Sequence, residues 1–174
     1  VYAGVLICVT ERGPHEVHIP DGSFVLQSGD RISFIARPKV AAKFFHKIGI
    51  PSEPVKRVML IGGGRITYYL AKQMLDLGAS VKIVEAKRAV CEDLADRLPD
   101  ATIIHGDGTN EQLLREEGIA RMDAIATLTG IDEENVLMGL YVRKTWPRVK
   151  VVTKINRYSF QTIIDAMHIG SVFN

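Results

Sequence analysis

The segment Val58-Met59-Leu60-Ile61-Gly62-Gly63-Gly64-Arg65-Ile66-Thr67 constrains this chain more than any other. Its apolar run reads as a buried strand, its three glycines as a tight turn, and the residues from Arg65 onward as an amphipathic helix. A chain that turns straight from strand into helix presents the free N–H groups of the first helical turn, and the positive end of the helix dipole, at one point. Gly62 permits the turn, and Gly64 lets a pyrophosphate approach the backbone. Glycines also make ordinary turns, so the reading depends on what surrounds them.

What surrounds them is a regular alternation of short β-branched runs and amphipathic helices. Strands are expected at Arg57–Ile61, Ser80–Val84, Thr102–His105, Ala124–Leu128 and Lys150–Lys154. Helices are expected at Arg65–Leu77 (face Ile66, Leu70, Met74, Leu77), Lys87–Leu98 (face Val90, Leu94, Leu98), Asn110–Glu117 and Asp132–Lys144 (face Val136, Leu137, Leu140, Tyr141). A last helix, about Tyr158–Met167, leads to a candidate sixth strand at Ile169–Phe173. Strands separated by helices must pair in parallel, because each crossover returns the chain to the same sheet edge. The expected fold class is α/β, a Rossmann-type doubly wound parallel sheet.

In such a sheet the strand ends that share the edge with the glycine turn carry the ligand chemistry. The second strand runs out at Glu85, whose carboxylate can accept hydrogen bonds from both hydroxyls of a ribose and would repel the extra phosphate of NADP. The bland reading of Glu85 is a solvated carboxylate at a helix start, and Lys87 and Arg88 beside it read as solvated helix residues. The third strand ends in His105-Gly106-Asp107-Gly108-Thr109, where Asp107 can reach an adenine amino group. Thr109 reads first as a helix cap, with Gln112 completing a capping box, and His105 first as a strand-end histidine. Thr129 and Gly130 end the fourth strand, beside the point where strand order reverses. Thr67 stands where the third fingerprint glycine normally lets helix and strand pack closely, so nucleotide binding is expected to be intact only if that bulk is compensated.

The first fifty residues follow a different plan. Strands are expected at Ala3–Thr10, Glu16–Ile19 and Arg31–Ile35, with turns at Arg12-Gly13-Pro14, Pro20-Asp21-Gly22 and Ser28-Gly29-Asp30. Pro38 can open a helix through His46 whose apolar face is Val40, Phe44, Phe45 and Ile48. Fifty residues is near the lower limit for independent folding, so this α+β segment is expected to be part of something larger. Gly49–Pro54, with two prolines and a serine, disfavours helix and reads as a linker. The division expected is residues 1–50, a linker at 51–55, and a nucleotide-binding domain over 56–174.

Whole-chain properties exclude several classes. A net charge of +2 from interspersed acids and bases leaves no basic face for nucleic acid. The apolar runs are strand-sized, far short of the roughly 20 residues that cross a bilayer, so a soluble chain is expected. Cys8 and Cys91 lack metal-ligand spacing, and read as buried packing thiols suited to a reducing cytoplasm. No metal site is expected. Because the sequence starts at Val1, at the edge of what already reads as a strand, instead of at an initiator Met, it is expected to be an internal piece of a longer protein.

Several segments in order carry a more specific resemblance. They are Ile61 to Ile66, Val84-Glu85, Gly106 to Thr109 followed by Leu113 to Ile119, and Asp123 to Thr129 followed by Asp132-Glu133-Glu134-Asn135. This set resembles the nucleotide-binding domain of Trk/Ktr-type potassium-transport regulators, also called RCK or KTN, over essentially all of residues 56–174. Upstream, His18 to Gly22 with Gly29 to Ile32 resembles the latter part of that family's small C-terminal ligand domain. The order looks like the middle of a tandem TrkA-like protein.

The resemblance implies a cytoplasmic regulatory subunit, peripheral to the inner face of the cell membrane. It would dock on a membrane potassium transporter subunit and form a homo-oligomer through its Rossmann lobes. NAD(H), or alternatively ATP or ADP, would be the ligand. Carried onto matching positions, Gly62, Gly63, Gly64, Arg65 and Ile66 hold the pyrophosphate, Glu85 the ribose, and Asp107 with Gly108 the adenine side. Thr129 and Gly130 line the nicotinamide or phosphate side, and Asn156 lies where some members place a phosphate-reaching arginine, for which Arg157 could substitute. Three functions stay open: a gating module that binds nucleotide without turning it over, a structural lobe that assembles but binds nothing, and a fragment of an NAD-dependent oxidoreductase. The last would need a general acid or base set against a nicotinamide, and no catalytic residue is identified.

Overall fold

The computed structural model describes residues 3–13, 16–50, 54–157 and 170–173. The chain divides into two compact units, Val1–Pro54 and Val55–Asn174.

In the first unit β1 (Val5–Arg12), β2 (Glu16–His18) and β3 (Arg31–Ala36) form an antiparallel sheet in the order β2-β1-β3, followed by α1 (Pro38–Lys47). β1 lies two residues later than the sequence pattern suggests. Gly4 takes a left-handed φ of 85° before it, and at its far end the pairing of Arg12 with Glu16 extends the strand. The Arg12 guanidinium then grips Asp30 with both forks, each at 2.8 Å, and so ties β1 to the turn before β3. Pro38 opens α1 as expected, and Phe44 and Phe45 both set their rings 5.5 Å from Phe34. Thr10 alone is fully buried among the described residues of this unit, while Leu6, Val17, Ile19 and Ile35 stay exposed. Cys8 is half-buried, against the expectation of a packed thiol, because a bulge between Ile7 and Val9 breaks the alternation of β1.

The second unit runs β4 (Arg57–Ile61), α2 (Arg65–Asp76), β5 (Ser80–Glu85), α3 (Arg88–Arg97), β6 (Thr102–His105) and α4 (Glu111–Glu116). After a 3-10 turn at Ile119–Arg121 come β7 (Ala124–Thr127), α5 (Asp132–Thr145), β8 (Lys150–Lys154) and β9 (Ser171–Phe173). The six strands pair in parallel in the order β6-β5-β4-β7-β8-β9. This is the doubly wound Rossmann order, with the reversal between β4 and β7. The candidate sixth strand is β9; the helix expected at 158–167 falls outside the described residues.

The two-residue period of β4 builds both halves of the core. Met59 and Ile61 pack with Leu114 of α4 and Met138 and Val142 of α5. Val58 and Leu60 pack with Ala71 of α2 and Leu94 of α3 on the opposite face. Every one of these side chains is at most 5% exposed.

Two helix faces differ from expectation. On α2 the buried positions are Thr67 and Ala71, and Ile66 and Leu77 stand out in solvent at 42% and 80% exposure. The small residues face the sheet because α2 lies close over it and the larger ones, Leu70 and Met74, fill only the flanks. On α5 the buried set is Asp132, Asn135, Met138, Gly139 and Val142, while Leu137 is 69% exposed. Asp132 and Asn135 turn inward because the ends of β7 and β8 present backbone groups that need partners, which rotates the buried face by about one residue.

The candidate nucleotide cleft

The glycine turn after β4 is built by two close approaches. Gly62 sits at φ 100°, and a Cβ there would stand 3.0 Å from the carbonyl oxygen of Leu128. Its N–H donates to the Val84 carbonyl at 2.8 Å, continuing the β4–β5 ladder one step past the strand. Gly63 has no room for a side chain, since a Cβ would meet Val90 Cγ1 at 2.8 Å and Glu85 Cγ at 2.9 Å. A Cβ on Gly64, by contrast, would meet nothing within 4 Å, so the backbone there faces open space and can be approached by a ligand. Gly64 caps α2, whose first-turn N–H groups from Arg65 and Ile66 open toward the same side.

Around this turn lies a cleft of about 560 Å³, within the usual range for small-molecule sites. Gly62, Gly63, Gly64, Glu85, Asp107, Gly108, Thr129 and Gly130 all line it. They come from the C-terminal ends of four strands, β4, β5, β6 and β7, which only the parallel sheet brings together. The side chains of Arg65 and Ile66 do not line the cleft, so any part they take is through their backbone.

Glu85 is held at both oxygens. Oε2 accepts from the Gly63 N–H at 2.6 Å and Oε1 from the Lys87 N–H at 2.7 Å. A carboxylate offers about four lone-pair positions, so acceptor capacity remains toward the cleft. Beside it Cys91 donates its thiol to the Glu85 carbonyl, and burial pushes that thiol's pKa up. It is an inert packing group. His105 sets Nε2 3.0 Å from the Ala86 carbonyl, which ties the ends of β5 and β6.

The capping box expected at Thr109 does not form. Asn110 is the cap of α4, its side chain accepting from the Leu113 N–H, while Gln112 turns to Glu116. Thr109 instead gives its N–H and hydroxyl to Asp107 Oδ1, both at 2.8 Å, and these two bonds hold the Asp107 carboxyl below the ordinary range. An Asx turn competes for the threonine and wins, moving the helix start by one residue.

Asn156 is not in the cleft. Its backbone and side-chain N–H groups both donate to Asp132 Oδ1, at 2.9 and 2.7 Å, and Arg157 donates to Asp132 Oδ2. Burial pushes the Asp132 carboxyl up, and these hydrogen bonds outweigh it and hold it low. On the β8 side the cation that lines the cleft is Lys154, the last residue of β8, and on the β5 side it is Lys87. Lys87, expected to be a solvated helix residue, lines the cleft, and so do Val90, Glu134 and Met138, to which the sequence reading gave no part in the site. The signal for Lys154 was its place at a strand end on the ligand edge.

Thr67 is wholly buried and does not line the cleft. Its hydroxyl donates to the Gly62 carbonyl at 2.5 Å, so the group that replaces the third glycine is satisfied within the turn itself. Among the described residues no helix is long and apolar enough to cross a membrane.

Comparison with known proteins agrees with this fold. The chain is 30% identical over 156 residues to Trk system potassium uptake protein TrkA homolog 2 of Methanosarcina mazei, covering 89% of this chain and 35% of that protein. It is likewise 30% identical over 171 residues to the TrkA homolog of Archaeoglobus fulgidus, covering 98% of this chain and 38% of that one. The chain therefore spans about a third of the length of these relatives. Among solved structures it is similar in fold to the GsuK RCK domain (TM-score 0.67, 20% identity, 99% of this chain and 36% of that one). The GsuK channel bound to NAD gives a TM-score of 0.66 at 20% identity, over 99% of this chain and 30% of that one. The TrkA-N domain of the Escherichia coli inner membrane protein ybaL gives 0.61 at 15%, over 70% and 89%. Residues 58–174 match the TrkA-N domain family, and the chain belongs to it.

Proposed function

We propose that this chain is the nucleotide-sensing portion of a cytoplasmic regulatory subunit that controls a membrane potassium transporter, with NAD(H) as its ligand and ATP or ADP as alternatives. The observation that carries the reading is the glycine turn, the open start of α2 and the Glu85 carboxylate meeting in one cleft. The names of the TrkA relatives supply the potassium-uptake context, and the likeness in fold to part of a GsuK channel solved bound to NAD supports the choice of ligand.

In this reading the pyrophosphate rests on Gly62 to Gly64 and the N–H groups of Arg65 and Ile66. The adenosine ribose hydrogen-bonds to Glu85, and the adenine lies toward Asp107 and Gly108. Thr129 and Gly130 border the other half of the ligand, with Lys154 supplying positive charge there. Glu85 disfavours the 2′-phosphate of NADP by like charge. A bound nucleotide controls a transporter only by fitting one arrangement of the assembled subunit better than another, so binding without turnover is sufficient. The small α+β unit is read as the latter part of a C-type ligand domain, and assembly as homo-oligomeric through the Rossmann lobes.

The test is parallel calorimetric titration of the chain with NADH, NAD, NADP, ATP and ADP, repeated on Glu85→Ala. Micromolar or tighter binding of NADH, much weaker binding of NADP, and loss of the preference in Glu85→Ala are expected. Absence of binding by every nucleotide would return the domain to a purely structural role.

A further inference from the structure

Asn135, in the first turn of α5, is fully buried, and its side chain makes three hydrogen bonds to backbone groups at two strand ends. Its Oδ1 accepts from the Thr129 N–H at 2.9 Å. Its Nδ2 donates to the Thr129 carbonyl and to the Lys154 carbonyl, each at 3.1 Å. The hydroxyl of Thr127 donates to the Asn135 backbone carbonyl at 3.1 Å, which fixes the helix start against β7. Thr129 and Lys154 stand at the ends of β7 and β8 and both line the cleft.

We propose that Asn135 is a positioning residue for the β7–β8 half of the cleft, holding Thr129 and Lys154 in register for the non-adenine half of a dinucleotide. This rests on the nucleotide reading given above. A single side chain that bonds to two strand ends fixes them relative to each other. A carboxamide suits the task because it alone offers an acceptor to one N–H and two donors to two carbonyls. The strand order makes the role one-sided. Glu85 and Asp107 lie on the β5–β6 side of the glycine turn, and the side-chain hydrogen bonds of Asn135 to described residues fall on the β7–β8 side. A dinucleotide crosses from one side to the other at the point of strand reversal, whereas a mononucleotide occupies the adenine side. Loss of Asn135 should therefore discriminate between ligands, which general loosening of the fold would not do.

The experiment is calorimetric titration of the wild-type chain and Asn135→Asp with NADH and AMP. The substitution keeps the size of the side chain and the acceptor for Thr129, and replaces both donors with an oxygen that faces two carbonyls. The expected result is NADH binding weaker by at least roughly tenfold, since both donor bonds to the strand-end carbonyls are lost, with AMP affinity unchanged. Equal loss for both ligands, or no loss for either, overturns the proposal. A wild-type chain that binds neither ligand overturns the nucleotide reading and the proposal with it. Should Asn135→Asp not fold, amide exchange on the ligand-free wild type decides the matter: slow exchange of the Thr129 N–H is expected, and fast exchange overturns the idea.

Discussion

The Gly63 N–H donates to Glu85 Oε2 at 2.6 Å, so the carboxylate at the end of β5 shapes the glycine turn at the end of β4. Recognition of the ribose and cradling of the phosphates are thus expected to depend on the same contact. Glycine at position 63 is what lets the two approach. In Gly63→Ala the added methyl must displace Val90 or Glu85. Overpacking of this kind costs about 1–3 kcal/mol. Thermal unfolding should show that loss, and calorimetry should show NADH affinity falling with it; an alanine variant with wild-type affinity would separate Glu85 from the turn.

Thr67 is expected to matter for stability and not for binding. Thr67→Val keeps the shape and removes the hydroxyl that bonds to the Gly62 carbonyl, at a cost of about 0.5–1.5 kcal/mol. Thr67→Gly restores the missing fingerprint glycine and is expected to cost more than Thr67→Val, because it loses the same hydroxyl bond and adds the conformational freedom of glycine inside a helix. Neither should change NADH affinity by more than about twofold, or roughly 0.4 kcal/mol where a tenfold change is about 1.4 kcal/mol. Tighter binding by the glycine variant would show that the threonine does obstruct the site.

The start of α4 can be tested by two neighbouring substitutions. Asn110→Ala removes the cap of that helix and should lower stability by about 1 kcal/mol. Thr109→Ala removes a surface hydroxyl bonded to Asp107 and should change stability by no more than about 0.5 kcal/mol. Chemical denaturation of the two variants in parallel checks the order; the reverse order would put the cap back at Thr109.

Asp123 gives a pH signature. Arg57, together with the backbone N–H groups of Lys56 and Arg57, holds its carboxyl down to about 2, below its ordinary 3.8. A carboxyl depressed in the folded state stabilises it above the unfolded pKa, and that contribution is lost as pH falls through the folded pKa. The melting temperature of Asp123→Asn should lie below wild type at neutral pH. The gap should stay constant down to about pH 4 and close toward pH 2. A gap independent of pH over that range would mean that the charge is not what the variant loses.

Much of this site could be read in one dimension because its chemistry is tied to strand ends. Gly62 to Gly64, Glu85, Asp107 and Thr129 each follow a β-branched run, and parallel pairing sends all such ends to one edge. The failures occur where a helix chose its partner. The apolar stripe on α5 pointed to Leu137, yet the structure turns Asp132 and Asn135 inward, because the strand ends leave backbone groups whose burial without a partner costs more than an exposed leucine. At Thr109 a local turn and a helix cap competed for one side chain, and spacing alone cannot rank two hydrogen bonds of similar strength.

The sequence by itself determined the order of elements, the parallel sheet and the edge on which a ligand would sit, since hydrophobic period and glycine placement act over a few residues. Only the tertiary structure decided that Lys154 enters the cleft while Asn156 is held by Asp132, and that Asn135 joins β7 to β8. Those outcomes depend on which buried backbone groups remain unsatisfied after the sheet has formed, and no local pattern carries that information.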